Sequence, residues 1–309
     1  MTTVVVLSND SEVVDELLEA FSALCPDLLA VAADDPRSVE AQVAACWYPP
    51  TGYVERFPSL RLIHSVSAGV EHLGLEHVSS RAHVCRIVDP DQRQGMIEYV
   101  RWAVLQHHRG FGKVMQQQSA RMWKTPPQVL ARDYAIGVMG LGTLGSAVAV
   151  DMAAAGYAVR GWSRQLKHLP EVRCFAGRAG LAKFLDGLNC VINLLPLTSE
   201  TQQILNQQTL GLVSNKATVI NCGRGAHIEY VALAEALLSG KLDSAVLDVF
   251  EVEPLPKNSP LWYCPGITIT PHMASAASNV SVVHQVADNV VRLTEGRPLL
   301  NQVDLERGY

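Results

Sequence analysis

Apolar residues along this chain come in two rhythms. The first is the short unbroken run: VVVLS at 4–8, AACWYPP at 44–50, LRLIHSV at 60–66, YAIGVM at 134–139, CVINLLP at 190–196, ATVINCG at 217–223, SAVLDVF at 244–250 and ITITP at 267–271. Runs of this length and composition predict buried strands, the second of them ended by its prolines. The second rhythm has helical spacing. It predicts a helix over 11–24 capped by Ser11 with an acidic first turn, a long helical stretch over 96–118 interrupted near Gly110 and Gly112, a helix at 229–239, and a closing helix over 278–296. Strands alternating with helices imply parallel sheets covered on both faces. A fresh strand–turn–helix–strand start at 134, after WKTPPQVLARD, divides the chain into two α/β domains. The first is built from both ends of the chain (1–99 and 284–309), and the second (100–283) is inserted between them.

Composition adds little to this picture, but it excludes some partners. The 309 residues are 48% hydrophobic and carry a formal charge of −5. A mildly acidic balance gives no electrostatic reason to expect nucleic acid or a membrane surface. The most apolar long segment, 134–159, is broken by glycines and Asp151 and is not expected to span a membrane. The start MTTVVVLSND reads as a first strand, not a signal peptide. The seven cysteines are scattered with no CxxC, which fits neither a disulfide framework nor a zinc site and is consistent with the reducing cytoplasm.

The chemistry begins at Gly140-Leu141-Gly142-Thr143-Leu144-Gly145, a G-x-G-x-x-G turn between a predicted strand and a predicted helix. In that context the first glycine permits a tight turn, the second lets backbone approach a pyrophosphate, and the third lets the helix pack closely. The helix N-terminus then offers N–H groups to phosphate. Ser163 lies 23 residues beyond Gly140, where an NAD-binding unit would place an acid for the ribose hydroxyl; here Ser163 is followed by Arg164. A carboxylate would repel a 2′-phosphate, whereas a guanidinium binds one through charge-assisted hydrogen bonds. The expected cofactor is therefore NADP(H) in preference to NAD(H), with Lys167 and His168 adding to the positive field.

Three later segments, INCGRGAHIE at 220–229, LDVFEVEPLP at 247–256 and ITPHMAS at 269–275, each bring one ionisable residue to a strand end: Arg224, Glu253 and His272. In this order, with GLGTLG, NLLPLTSET and SPLW, they resemble the D-isomer-specific 2-hydroxyacid dehydrogenases along essentially the whole chain. CWYPP, SVSAGVEHL, MIEYV, GWSR and the terminal NQVDLERGY (301–309) resemble one branch, the NADPH-dependent glyoxylate/hydroxypyruvate reductases of bacterial type.

That resemblance implies two Rossmann-like doubly wound domains, with the cofactor domain inserted into a discontinuous flavodoxin-like substrate domain. It also implies reduction of a small 2-oxo acid to the D-2-hydroxy acid. Arg224 would fork onto the substrate carboxylate and polarise the ketone. The backbone around Ser67, Ala68, Gly69 and Val70 would hold the other carboxylate oxygen. His272 would donate the proton, and Glu253 would pair with it. Asp248 and the backbone at Cys222 would meet the nicotinamide, and Leu194 and Pro196 the adenosine-side wall. Trp47 is a candidate wall of the substrate pocket or an ordinary core residue. No metal is needed. A homodimer packed through the 96–118 stretch is implied as well.

Two departures stand out. Cys222 occupies a place where the family often has a small aliphatic residue or Thr, and a thiol there offers a site for oxidation. Glu253, where formate dehydrogenases of this fold carry Gln, argues against that activity. The alternatives are a reductase of a bulkier 2-oxo acid using NAD(H), or a dinucleotide-sensing interaction protein. The latter is disfavoured by the lack of long flanking tails.

Overall fold

The first strand is an unbroken apolar run from Val4 to Leu7 because both of its faces are covered. β1 (Thr3–Ser8) sends Val4 and Val6 into one hydrophobic core and Val5 and Leu7 into another, and all four are buried. A strand of a two-sided parallel sheet reads as a continuous run for this reason. The computed structural model describes residues 2–78 and 82–305, so the last four residues of the 301–309 motif lie outside the described residues. The chain divides into one unit of Met1–Gln92 and Ala276–Tyr309 and another of Arg93–Ser275.

The first unit holds five parallel strands, β1, β2 (Leu29–Ala32), β3 (Val43–Trp47), β4 (Leu62–Ser65) and β5 (His83–Cys85), in the order β2-β1-β3-β4-β5. This is the flavodoxin-like order. The helix Ser11–Leu24 and the closing helix Asn279–Glu295 bury Leu17, Phe21, Val282 and Val286 against Val4, Val43 and Leu62. Tyr53, Phe57 and Leu73 cover Val5, Ala44 and Ile63 on the opposite face. Each such side chain contributes on the order of 1.5–3 kcal/mol when fully buried. The first helix is capped by Asp10, not Ser11. Its carboxylate accepts the Glu12 N–H at 3.0 Å, and Ser11 is already the first helical residue. An aspartate on an extended residue satisfies an orphan donor and adds negative charge at the positive end of the helix.

The second unit holds seven parallel strands: β6 (Ala135–Met139), β7 (Ala158–Ser163), β8 (Arg173–Ala176), β9 (Cys190–Asn193), β10 (Ala217–Asn221), β11 (Leu242–Leu247) and β12 (Ile267–Ile269). Their order is β12-β11-β10-β9-β6-β7-β8. Counted from β6 it is the Rossmann order with one strand added, and it reverses between β6 and β9. The expected 96–118 stretch is two helices, Pro90–His108 and Phe111–Ser119, separated at Gly110 with φ +68°. Met96, Val100 and Val104 pack in the core of this unit with Ile136, Val148 and Ile192. Packing therefore divides the chain after Gln92 and Ser275, a few residues before the expected boundaries at 99/100 and 283/284, because Met96 belongs to the second core while Val282 and Val283 belong to the first. Among the described residues no helix is long and apolar enough to cross a membrane.

Candidate active site

The carboxyl ends of β6, β7, β9, β10 and β11 carry nearly every residue that the sequence singled out in the second unit. Gly140 follows β6 with φ +92°, and a Cβ built on it would stand 2.6 Å from the Leu194 carbonyl oxygen. The glycine turn therefore lies against the NLLP segment after β9, which contains Leu194 and Pro196. Gly145 is tighter still, since a Cβ there would lie 1.8 Å from the Gly140 carbonyl oxygen. The third glycine thus lets the helix close on the turn more than on the strand. Gly142 is different: a Cβ built on it meets nothing within 4 Å. It opens the helix Thr143–Ala154, whose first-turn N–H groups, including those of Thr143 and Leu144, lack intrahelical acceptors. An open second glycine at a helix N-terminus is a cradle that fits a pyrophosphate.

Strand register carries Ser163 and Arg164 to the same edge. Met139 pairs with Trp162, and the Gly140 N–H donates to the Trp162 carbonyl at 2.8 Å. Arg164 is exposed beyond the strand. The Ser163 hydroxyl donates to the Gln165 carbonyl at 2.7 Å, a local bond within the exposed turn. Lys167 and His168 line an open hollow of about 430 Å³ next along the chain.

Glu253 and His272 meet directly. Glu253 Oε2 is 2.6 Å from His272 Nδ1, and Glu253 Oε1 accepts the Phe250 N–H at 2.7 Å. Burial raises the Glu253 pKa, but the hydrogen bonds from His272 and Phe250, with the charges of His272 and Arg224, outweigh it and hold the carboxyl below its ordinary value. His272 has φ +51°, unusual for a side chain of this size, and its N–H donates to the Asp248 carbonyl at 2.9 Å. The Asp248 carboxylate fixes the same turn. Its Oδ1 accepts from Thr270 Oγ1 (2.7 Å) and the Met273 N–H (2.9 Å), and its Oδ2 from the Ala274 N–H (2.9 Å).

Arg224 follows β10 in a crowded loop. A Cβ on Gly225 would lie 2.1 Å from the backbone of Phe250, and one on Gly223 would lie 2.8 Å from Asn193 Nδ2. The loops carrying Arg224 and Glu253 therefore touch through backbone. Three side chains that no sequence motif singles out, Asn193, Asn221 and His227, lie beneath this loop with no exposure. The thiol of Cys222 is buried, and burial with the nearby Asp248 charge pushes its pKa well above the ordinary value. A thiol held protonated and covered is poorly reactive, which removes the expected site of oxidation. Among the described residues no three His, Cys, Asp or Glu side chains are arranged to hold a metal ion.

In the first unit, residues 67–70 follow β4. The Ser67 N–H donates to Ser65 Oγ at 3.1 Å, and both serine hydroxyls donate to the Gly69 carbonyl. The Val70 N–H already meets a carboxylate, Glu71 Oε2 at 3.0 Å. Trp47 ends β3 and packs edge-on against Tyr48, with 4.9 Å between ring centroids.

Residues 101–274 match the model of the D-isomer specific 2-hydroxyacid dehydrogenase NAD binding domain. The chain belongs to this family. Its members are oxidoreductases acting at a CH–OH carbon. A dehydrogenase of this family from Klebsiella pneumoniae has a structure that superposes with a TM-score of 0.95 at 42% identity, covering 99% of this chain and 98% of the other. Another, from Xanthobacter autotrophicus and solved with NADPH and MES, gives 0.91 at 37% identity, covering 100% and 99%. A glyoxylate/hydroxypyruvate reductase A from Klebsiella pneumoniae is 36% identical over 276 residues, 87% of this dehydrogenase and 88% of the relative.

Proposed function

We propose that this dehydrogenase reduces a small 2-oxo acid, of the glyoxylate or hydroxypyruvate type, to the D-2-hydroxy acid with NADPH. The observation that carries the reading is the Glu253–His272 pair at 2.6 Å, next to the Arg224 loop at the carboxyl edge of a Rossmann sheet. The named reductase relative and the NADPH-bound neighbour support it.

NADPH, when bound, supplies the hydride. Gly140, Gly142, Thr143, Leu144 and Gly145 are assigned to its pyrophosphate, Leu194, Pro196 and the Cys222 backbone to its walls, and Arg164 with Ser163 to its 2′-phosphate. Arg224 binds the oxo-acid carboxylate and polarises the ketone oxygen, an arrangement a planar guanidinium suits. The backbone around Ser67, Ala68, Gly69 and Val70 is assigned to the substrate carboxylate, for which the Ser67 N–H would leave Ser65 Oγ and the Val70 N–H would leave Glu71 Oε2. His272 gives its proton to the developing alkoxide, while Glu253 favours the imidazolium and fixes the ring through Nδ1. Asp248 is assigned to the nicotinamide side, with a second duty in holding the His272 turn through Thr270, Met273 and Ala274.

We also propose a homodimer. Phe111, Val114, Met115, Met122 and Leu130 are exposed and Trp123 is fully so, an apolar stretch of the kind that marks a protein interface. All seven cysteines are free, which suits a cytoplasmic setting.

The test is the initial rate of NADPH and of NADH oxidation with hydroxypyruvate. The expected result is turnover with a strong preference for NADPH. A preference for NADH sinks the 2′-phosphate assignment, and silence with both sinks the substrate class.

A further inference from the structure

His227 is a fully buried histidine that none of the assigned roles uses. Its Nδ1 lies 3.0 Å from the Arg224 backbone nitrogen and 2.8 Å from Asn193 Nδ2, and its Nε2 lies 3.3 Å from the Pro196 carbonyl oxygen. A backbone N–H can only donate, so Nδ1 must be an unprotonated acceptor. The ring is then neutral, with its proton on Nε2 directed at Pro196. The amides around it are oriented by backbone groups too. Asn193 Oδ1 accepts the Leu195 N–H at 3.3 Å, which turns Asn193 Nδ2 toward His227 and Asn221. Asn221 Oδ1 accepts the Gly223 N–H at 3.2 Å, and Asn221 Nδ2 donates to the Arg224 carbonyl at 3.0 Å. Both backbone polar groups of Arg224 are thus held from below, the N–H by His227 and the carbonyl by Asn221. The Arg224 guanidinium is turned by its own bond to the Gly223 carbonyl at 2.6 Å.

We infer that His227 is a positioning residue for substrate binding, fixing Arg224 through Nδ1 and tying the Arg224 loop through Nε2 to the Pro196 segment. The inference rests on the proposed role of Arg224 as the carboxylate-binding cation. Arg224 can only fork onto a carboxylate if its Cα is placed to within a fraction of an ångström. A buried ring accepting the N–H of that same residue supplies the constraint without touching substrate. It also explains why position 223 is glycine: a side chain there would collide with Asn193 Nδ2 and with His227 Nδ1, which lies 2.9 Å away.

Two substitutions in the full-length protein separate the ring nitrogens. In His227→Asn the amide oxygen stands where Nδ1 stood and still accepts from Arg224, but the shorter side chain no longer reaches Pro196. In His227→Gln the amide nitrogen stands near Nε2 and still donates to Pro196, but the acceptor for Arg224 is lost. The expected result is a KM for hydroxypyruvate raised about tenfold in His227→Gln and restored to within about twofold of the parent in His227→Asn, the scale of one lost hydrogen bond. NADPH Kd stays within about twofold in His227→Gln, which a general loss of structure would not allow. Equal KM values in the two variants, or a rise in KM accompanied by an equal rise in NADPH Kd, overturn the positioning role. Arg224→Ala is measured beside them. If it raises KM strongly while His227→Gln does not, only the role of His227 falls. If Arg224→Ala leaves KM unchanged, the reading of Arg224 falls and takes this one with it.

Discussion

His272 is held by Glu253 across 2.6 Å between Nδ1 and Oε2, while its own backbone sits at φ +51°. A residue keeps such a conformation only where its surroundings over-determine it. Here three hydrogen bonds to the Asp248 carboxylate and one to its carbonyl do so.

The proton-donor role makes His272→Gln lose on the order of 10²–10⁴-fold in kcat. Glu253→Gln keeps a hydrogen-bonding partner but removes the charge, and its loss is smaller. Steady-state kinetics with hydroxypyruvate check both. A His272→Gln enzyme impaired only in KM means that the ring binds substrate and does not protonate it.

The glycine turn gives a paired prediction. Gly145→Ala must push the Gly140 carbonyl aside and destabilises the protein by about 1–3 kcal/mol in urea unfolding. Gly142→Ala has room, so its unfolding midpoint is unchanged. Its methyl group nevertheless enters the cofactor's path, and NADPH Kd rises at least about tenfold. NADPH binding as tight as the parent's in Gly142→Ala removes the pyrophosphate from this turn.

Arg164→Ala weakens NADPH more than NADH, because only NADPH carries the 2′-phosphate that a guanidinium grips. Fluorescence titration with both cofactors decides it. An equal loss for both shows that Arg164 does not read the phosphate.

Stability depends on His64, buried in β4 with Nε2 accepting from Asn289 Nδ2 at 3.2 Å and Nδ1 bonded to the Ser65 carbonyl at 2.8 Å. Burial lowers its pKa to about 4, against the smaller raising effect of the Ser65 bond. The folded state therefore favours the neutral ring. Its contribution is full above the unfolded value of about 6.5, is lost as pH falls toward 4, and is on the order of 3 kcal/mol in all. Between pH 6.5 and 5 few carboxylates titrate, so urea midpoints there should fall in the parent and stay flatter in His64→Asn. Parallel pH slopes in the two proteins refute the assignment.

What the sequence disclosed follows from where its signals lay. Central strands such as β1, β6 and β10 are near-continuous apolar runs because they are covered on both faces. β2, β5 and β8 were not foreseen: they hold three or four residues, end or edge their sheets, and β8 is not fully buried at any position. Arg224, Glu253 and His272 were legible because each is an ionisable residue just past such a run. Asn193, Asn221 and His227 were not, because their meaning is tertiary. Asn193 and Asn221 become partners only through the register that pairs β9 with β10. The two glycines around Arg224 were the available clue, since each marks a neighbour too close for a side chain.

Those glycines also bear on how the protein can be altered. Position 225 faces backbone 2.1 Å from any added carbon, and position 223 faces the Asn193–His227 pair. A random library over 223–225 will return glycine at both ends, whatever acid is used for selection. Changes of appetite have to be sought at other positions, and the loop bearing Arg224 serves in any such campaign as the fixed reference point.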